Sequence, residues 1–383
     1  MRFFNTAGPV NPRDHYTLPP LIRINVNEII SLIYQKKYFI LHAPRQTGKT
    51  SCLLALQNHL NLQGIFFALY INVEAGQTAR DDVKRGIQTV ITQMATRTLD
   101  TFGDSFFMDR VRTAIDDYGE DIAFETLLSL WCRTLKKPLV LLIDEIDALV
   151  GDSLISVLRQ IRSGYDKRPE GFPSTVILCG VRDIRDYRIH SESDRSVITG
   201  GSAFNIKAES LRLGNFSFDD TRALFLQHTE ETGQKFEEPV FRQVWDLTAG
   251  QPWLVNALGY EICFRMPEGK DRSRPITPDL IIQAKENLIL RRETHLDQLT
   301  DKLKEERVRR VIEPILAGDS FESGFLSPDV EYVLDLGLIR QEQNGEIAIA
   351  NRIYQEVIPR ELSWNAQMGM ALKSPGISPL ITG

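Results

Sequence analysis

The chain has 383 residues, of which 42% are hydrophobic and 25% charged, as in an ordinary soluble globular protein with room for two or three domains. Its net charge of −6 excludes a general nucleic-acid coat, although a local basic patch stays open. The start, Met1-Arg2-Phe3-Phe4-Asn5, lacks a long apolar core and no apolar run nears ~18 residues, so neither a signal peptide nor a membrane span is expected.

Residues 1–24 carry Pro9, Pro12, Pro19 and Pro20 and read as an extended arm. The arm is either a packed strap or a segment that brings His15 or Tyr16 near a bound base. Asn25 to Gln35 has the apolar spacing of a helix. Next comes Tyr38-Phe39-Ile40-Leu41, then Ala43-Pro44-Arg45-Gln46-Thr47-Gly48-Lys49-Thr50, then the helix-like Ser51-Cys52-Leu53-Leu54-Ala55-Leu56. Strand, loop ending in Gly-Lys-Thr, and helix make a P-loop. In such a loop the backbone N–H groups and the helix N-terminus gather on phosphate. Gly48 permits close approach, Lys49 reaches the β and γ oxygens, and the Thr50 hydroxyl ligates Mg²⁺. Ala43 stands where glycine is usual, so either the turn there needs no positive φ or the loop is less open. Gly-Lys-Thr alone would also suit a solvated loop.

Gly64 to Val73 reads as a second strand, and residues 79–98 and 105–136 read as helices. Pro138 to Ile143 and Ser174 to Cys179 are unbroken apolar runs, the pattern of strands covered on both faces, and Phe204 to Leu213 supplies a fifth. Strands alternating with helices imply an α/β fold with a mostly parallel, doubly wound sheet. After Leu213 the pattern turns helical to about Leu299, with Ser217 as an N-cap and a break at Gly250-Gln251-Pro252. Residues 300–362 read as helix, helix and hairpin, Asn344-Gly345 marking the turn; that order suggests a winged helix. From Ser363 a loose tail is expected. The division is therefore arm 1–24, P-loop core 25–213, helical lid 214–299, winged helix 300–362 and tail 363–383.

Asp144-Glu145 closes the strand that starts at Pro138, at the carboxyl end where ligands bind in a parallel sheet. Asp144 is placed to hold Mg²⁺, usually through water, and Glu145 to polarise the attacking water. Asp147 reads as a supporting or helix-capping group. The next strand runs on into Gly180-Val181-Arg182-Asp183, so Arg182 faces the γ-phosphate or else pairs with Asp183 or Asp186. Gly250-Gln251-Pro252 either lays a flat ring over the base or simply breaks a helix. Cys52, Cys132 and Cys179 sit in apolar stretches far apart, as does Cys263 from each of them; this suits buried free thiols in a reducing cytoplasm. The six histidines show no metal-ligand spacing.

Ala43–Thr50, Leu139–Asp147, Val181-Arg182-Asp183 and Gly250-Gln251-Pro252-Trp253-Leu254-Val255, in that order, resemble the AAA+-related P-loop ATPases. More narrowly they are similar to the bacterial and archaeal AAA-like families near the STAND class of signal-transduction ATPases. The resemblance implies ATP and Mg²⁺ as ligands, nucleotide contacts from Ala43 through Ser51, Arg182 on the γ-phosphate and Pro252 on the base. It also implies a winged helix after the lid. No arginine acting on a neighbouring subunit is identified in the sequence; Arg159 and Arg162, on the helix after Asp147, are no more than candidates. The expected activity is slow ATP hydrolysis driving a conformational switch or assembly, with a protein partner or self-assembly.

The alternative is a DNA-binding winged helix regulated by nucleotide. Arg291 to Leu362 holds ten basic and fifteen acidic residues, and the expected recognition helix, Ser327 to Leu336, has three acids and no base. Carboxylates there would oppose DNA phosphates, so DNA contact through this helix is disfavoured, with Arg307, Arg309 and Arg310 left as a weaker phosphate-facing cluster.

Overall fold

The computed structural model describes residues 1–182, 188–190, 197–199, 204–291, 294–318 and 327–373. They fall into two compact units, one of Ala7–Phe216 and one of Ser217 onward together with Met1–Thr6. The N-terminal arm, expected as one piece, is instead shared between the units. Its first residues join the second unit because Phe4 is fully buried there, its ring 4.9 Å from that of Phe225 and 6.4 Å from that of Phe264.

In the first unit, helix α1 (Val26–Tyr34) is capped by the Asn25 side chain and leads into β1 (Tyr38–His42). Then follow α2 (Lys49–Gln63), β2 (Phe67–Asn72), α3 (Val83–Phe102), α4 (Ala114–Tyr118), α5 (Ala123–Cys132), β3 (Leu139–Asp144), α6 (Gly151–Ser163), β4 (Thr175–Gly180) and β5 (Lys207–Arg212). The long helix expected over 105–136 is broken. Asp104 accepts hydrogen bonds from the Phe106 amide and the Trp131 indole, holding a non-helical corner, and Gly119 at φ 78° separates α4 from α5.

The five strands form one parallel sheet in the order β2-β3-β4-β1-β5. Every residue of β3 and β4 is buried, as strands covered on both faces require. One face packs on α3, α5 and α6 through residues such as Ile91, Met94, Leu127 and Trp131; the other packs on α1 and α2 through Ile33, Leu53, Leu56 and Leu60. β2 is an edge strand, and α2 covers its exposed backbone. Gln57 accepts from the Tyr70 amide at 2.6 Å, while Asn61 bonds both the N–H and the C=O of Ala68 at 2.8 and 2.9 Å.

In the second unit α7 (Phe218–Thr232) starts with a full capping box between Ser217 and Asp220, as expected for Ser217. Helices α8 (Glu238–Thr248), α9 (Pro252–Tyr260) and α10 (Pro278–Leu290) follow. The remainder is α11 (Thr294–Lys302), α12 (Glu306–Ala317), α13 (Pro328–Asp335), the antiparallel hairpin β6 (Ile339–Gln341) and β7 (Ile347–Ile349), and α14 (Arg352–Lys373). The loose tail expected from Ser363 therefore begins as helix. Helix-favouring Gln367, Met368, Ala371 and Leu372 extend α14, and the Pro-containing end starts only at Ser374, outside the described residues. His295 is buried between Trp253 and Tyr354, with ring centroids 4.7 and 6.0 Å away, so α9, α11 and α14 are pinned together. Burial pushes the His295 imidazole down to about 4, so it packs as a neutral ring.

Close packing of α3 on α6 depends on Gly86. A Cβ there would lie 2.7 Å from both side-chain atoms of buried Ser153. Gly86→Ala should lower stability by about 1–3 kcal/mol despite its better helix propensity, measurable as a reduced denaturation midpoint.

Candidate functional site

The P-loop joins β1 to α2, so its arch stands at the carboxyl end of a central strand. Ala43 is buried, bonded through its N–H to the Gly180 carbonyl at 3.2 Å, and is not among the residues of positive φ. The missing glycine at this position is thus explained, because the turn needs no left-handed residue there. Positive φ falls instead on Gln46 (57°) and Gly48 (82°). Pro44 is half-buried, Arg45 and Gln46 are exposed, and Thr47 turns inward to donate to the Pro44 carbonyl at 2.7 Å. The buried Lys49 ammonium lies under the arch, donating to the carbonyls of Ala43 (3.1 Å) and Pro44 (3.2 Å). Ser51 is half-buried at the helix start, where its hydroxyl accepts from the Val10 amide of the arm at 3.1 Å.

Asp144 ends β3 and is fully buried. Its Oδ2 accepts from the Thr50 hydroxyl at 2.6 Å and from the Tyr70 hydroxyl at 3.0 Å; its Oδ1 accepts from the Glu145 amide at 3.0 Å. Threonine hydroxyl and carboxylate, two hard oxygens brought together at a helix N-terminus, are the donor set that suits Mg²⁺, which takes few protein ligands and fills its shell with phosphate and water. Among the described residues no cluster of three or more His, Cys, Asp or Glu could hold a metal ion on its own.

Glu145 has φ 56°, a left-handed conformation costing a non-glycine residue roughly 1–2 kcal/mol. Such strain concentrates at functional sites. Burial raises the Glu145 carboxyl above the usual carboxylate range; Lys49 opposes this, while Asp147, Asp144 and Glu74 add to it. Asp147 accepts from the Val181 amide at 3.4 Å, tying the end of β3 to the end of β4. A Cβ on Gly180 would meet Asp147 at 2.8 Å, so this approach needs glycine.

Arg182 is half-buried two residues beyond β4, the strand hydrogen-bonded to both β1 and β3. Asp183 and Asp186, its alternative partners, lie outside the described residues. Arg159 and Arg162 are exposed on α6. Tyr16 is buried, in keeping with the strap reading of its segment, and His15 Nδ1 accepts from the Asn11 amide. Pro252 belongs to the other unit, where it is the buried first residue of α9. Gln251 caps that helix by accepting from the Leu254 amide at 2.6 Å.

Three neighbours of this site escape sequence reasoning. Tyr70 sits inside an apolar run and reads as core. Cys179 also reads as core, yet its thiol faces Asp144, and burial, then Asp144, raises it well above the thiol range. Arg23 of the arm places Nη2 2.9 Å from where a Cβ on Gly48 would stand; it also bonds the Gly214 carbonyl at 3.1 Å and lies 5.2 Å from the Phe216 ring. Nothing in the local sequence marks any of these three.

No family model and no curated protein matches the chain. Solved structures do. A Walker-type ATPase of Pyrococcus abyssi is similar at TM-score 0.61 and 14% identity, over 93% of this chain and 99% of that one. The ORC2 protein of Aeropyrum pernix, solved as ADPNP–ADP complexes, is similar at TM-score 0.53 and 14% identity, over 92% of this chain and 97% of that one. The chain therefore shares the fold of these two proteins, with a five-stranded parallel sheet covered by helices on both faces. Among the described residues no helix is long and apolar enough to cross a membrane.

Glu145→Gln removes a carboxyl whose folded pKa is raised. Such a group favours the folded state below its unfolded pKa, and that contribution is lost as pH rises through the folded value. The variant should therefore melt higher than wild type at pH 8, with the advantage shrinking as pH falls into the carboxylate range, by thermal scans of the nucleotide-free protein.

Proposed function

We propose that the chain is a Mg²⁺-dependent ATPase that uses slow hydrolysis to drive a conformational switch or assembly. The observation that carries this reading is the 2.6 Å contact between the Thr50 hydroxyl and the buried Asp144 carboxylate, at the mouth of a loop that already encloses Lys49. The amides of residues 46–51 and the α2 dipole receive the phosphates of ATP, and Lys49 adds its charge at the γ end. A bound magnesium ion neutralises charge on the phosphate oxygens; Thr50 and Asp144 are the residues that hold it. Glu145 orients and deprotonates the attacking water, its pKa lifted toward that of a useful base. Arg182, just beyond β4, meets the γ-phosphate, and Pro252 is the residue that the family resemblance assigns to the base.

The finer reading places the chain near the STAND class, with α11–α14 and the β6–β7 hairpin as a winged helix. Self-assembly or a protein partner fits the exposed Arg159 and Arg162, and also low activity in isolation, since a missing trans-acting arginine costs about 10³–10⁵ in rate. The reading predicts that Lys49→Ala abolishes ATP binding by calorimetry. Glu145→Gln should keep binding and lose about 10²–10⁴-fold in steady-state turnover. A Lys49→Ala chain that binds ATP like wild type would refute the site.

A nucleotide-regulated DNA-binding protein is the second reading. Against it, Val330, Val333 and Leu334 of α13 are buried in their own module, and Asp329 pairs with Arg307 at 3.4 Å. Anisotropy titration at physiological salt should give no submicromolar binding to duplex DNA. Tight binding abolished by changes within α13 would put this reading first.

A further inference from the structure

We infer that Tyr70 is a positioning residue for the metal-facing carboxylate, its hydroxyl and that of Thr50 forming a two-donor fork that fixes Asp144 Oδ2 for cation binding. The inference rests on the Mg²⁺–ATP reading above and adds to it a residue on a different strand. Tyr70 stands opposite Leu142 in the β2–β3 ladder, so Asp144, two residues on, is its diagonal neighbour on the same sheet face. That face is the one covered by α2, whose first turn carries Thr50. The long phenol spans the diagonal and arrives at 3.0 Å, while Thr50 arrives at 2.6 Å on the same oxygen.

The donor is itself fixed. Tyr70 is 3% exposed, its amide is gripped by Gln57 of α2, and the Arg97 guanidinium lies 5.4 Å from its ring. Thr50 and Gln57 belong to one helix, so the same rigid element sets both donors of the fork. Without the Tyr70 hydroxyl, the aspartate would keep the Glu145 amide on Oδ1 and Thr50 on Oδ2, but Thr50 must also turn a lone pair toward the cation. Tyr70 holds the carboxylate in place during that exchange. Carboxylates that ligate metals are commonly oriented by such outer partners, whose loss costs about 10–100-fold in metal affinity.

The test is Tyr70→Phe, which keeps ring and burial and removes one oxygen, compared with wild type and with Asn61→Leu. Asn61→Leu loosens the same edge strand at Ala68 and leaves the Gln57 grip and both hydroxyls of the fork in place. Each protein is titrated with Mg²⁺ while binding of a fluorescent ATP analogue is followed, Mn²⁺ occupancy is read by electron paramagnetic resonance, and thermal midpoints are recorded. Tyr70→Phe should raise half-saturating Mg²⁺ and Mn²⁺ about tenfold or more and leave analogue binding in chelator unchanged. Asn61→Leu should lower the thermal midpoint with no change in cation dependence. A Tyr70→Phe cation midpoint within twofold of wild type, or equal cation shifts in both variants, would reduce Tyr70 to a packing residue and overturn the inference. A wild-type chain whose analogue binding ignores Mg²⁺ would sink the parent reading and this one together.

Discussion

A carboxylate with no solvent exposure is the constraint on which the site depends. Removing an acid from water costs several kcal/mol unless donors replace the lost hydration. Asp144 meets that demand with Thr50 from α2, Tyr70 from β2 and the amide of Glu145 beside it. Each donor comes from a different element, so satisfying one oxygen pair locks α2, the edge strand and the acidic strand into a single arrangement. Glu145, next to Asp144 in the chain, has a left-handed backbone.

Sheet order completes the site. β4 lies between the P-loop strand and the acidic strand, so the carboxyl ends of all three open onto one crevice. Asp147 and the close approach at Gly180 then hold the end of β4 against the end of β3. Arg182 follows directly, its backbone position set by that contact. Gln46, Gly48 and Glu145, the left-handed residues at these strand ends, are where the chain departs from regular structure.

The second unit uses buried polar groups for order of another kind. Gln234 donates to the carbonyls of Gly269, Asp271 and Arg274, and Arg272 bonds Gln234, His228 and the carbonyls of Gly269 and Cys263. A polar, proline-containing loop is thereby folded down by Gln234 just after α7, by His228 of α7 and by its own arginine. His228, packed among Phe4, Phe236 and Phe264, is held below its ordinary pKa, chiefly by burial, so a neutral ring can share the space with Arg272.

Much of this was legible in the sequence alone. Apolar runs of strand length alternating with helical spacing determine a parallel sheet, because strands covered on both faces must be apolar throughout. Gly48-Lys49-Thr50 after one such run and Asp144-Glu145 at the end of another are read as the proposed phosphate and metal positions, since short-range order already puts them at strand ends. Only the tertiary structure decided the rest. That Ala43 needs no glycine conformation is a matter of its bond to Gly180, far along the chain. The break in residues 105–136 depends on Asp104 finding the Trp131 indole, and the division of the N-terminal arm depends on Phe4 finding Phe225. Tyr70, Cys179 and Arg23 looked like core or surface residues because their chemistry lies in what strand register and chain crossing bring beside them. Local pattern encodes which element a residue joins, whereas its partners across the sheet are set by how the elements pack.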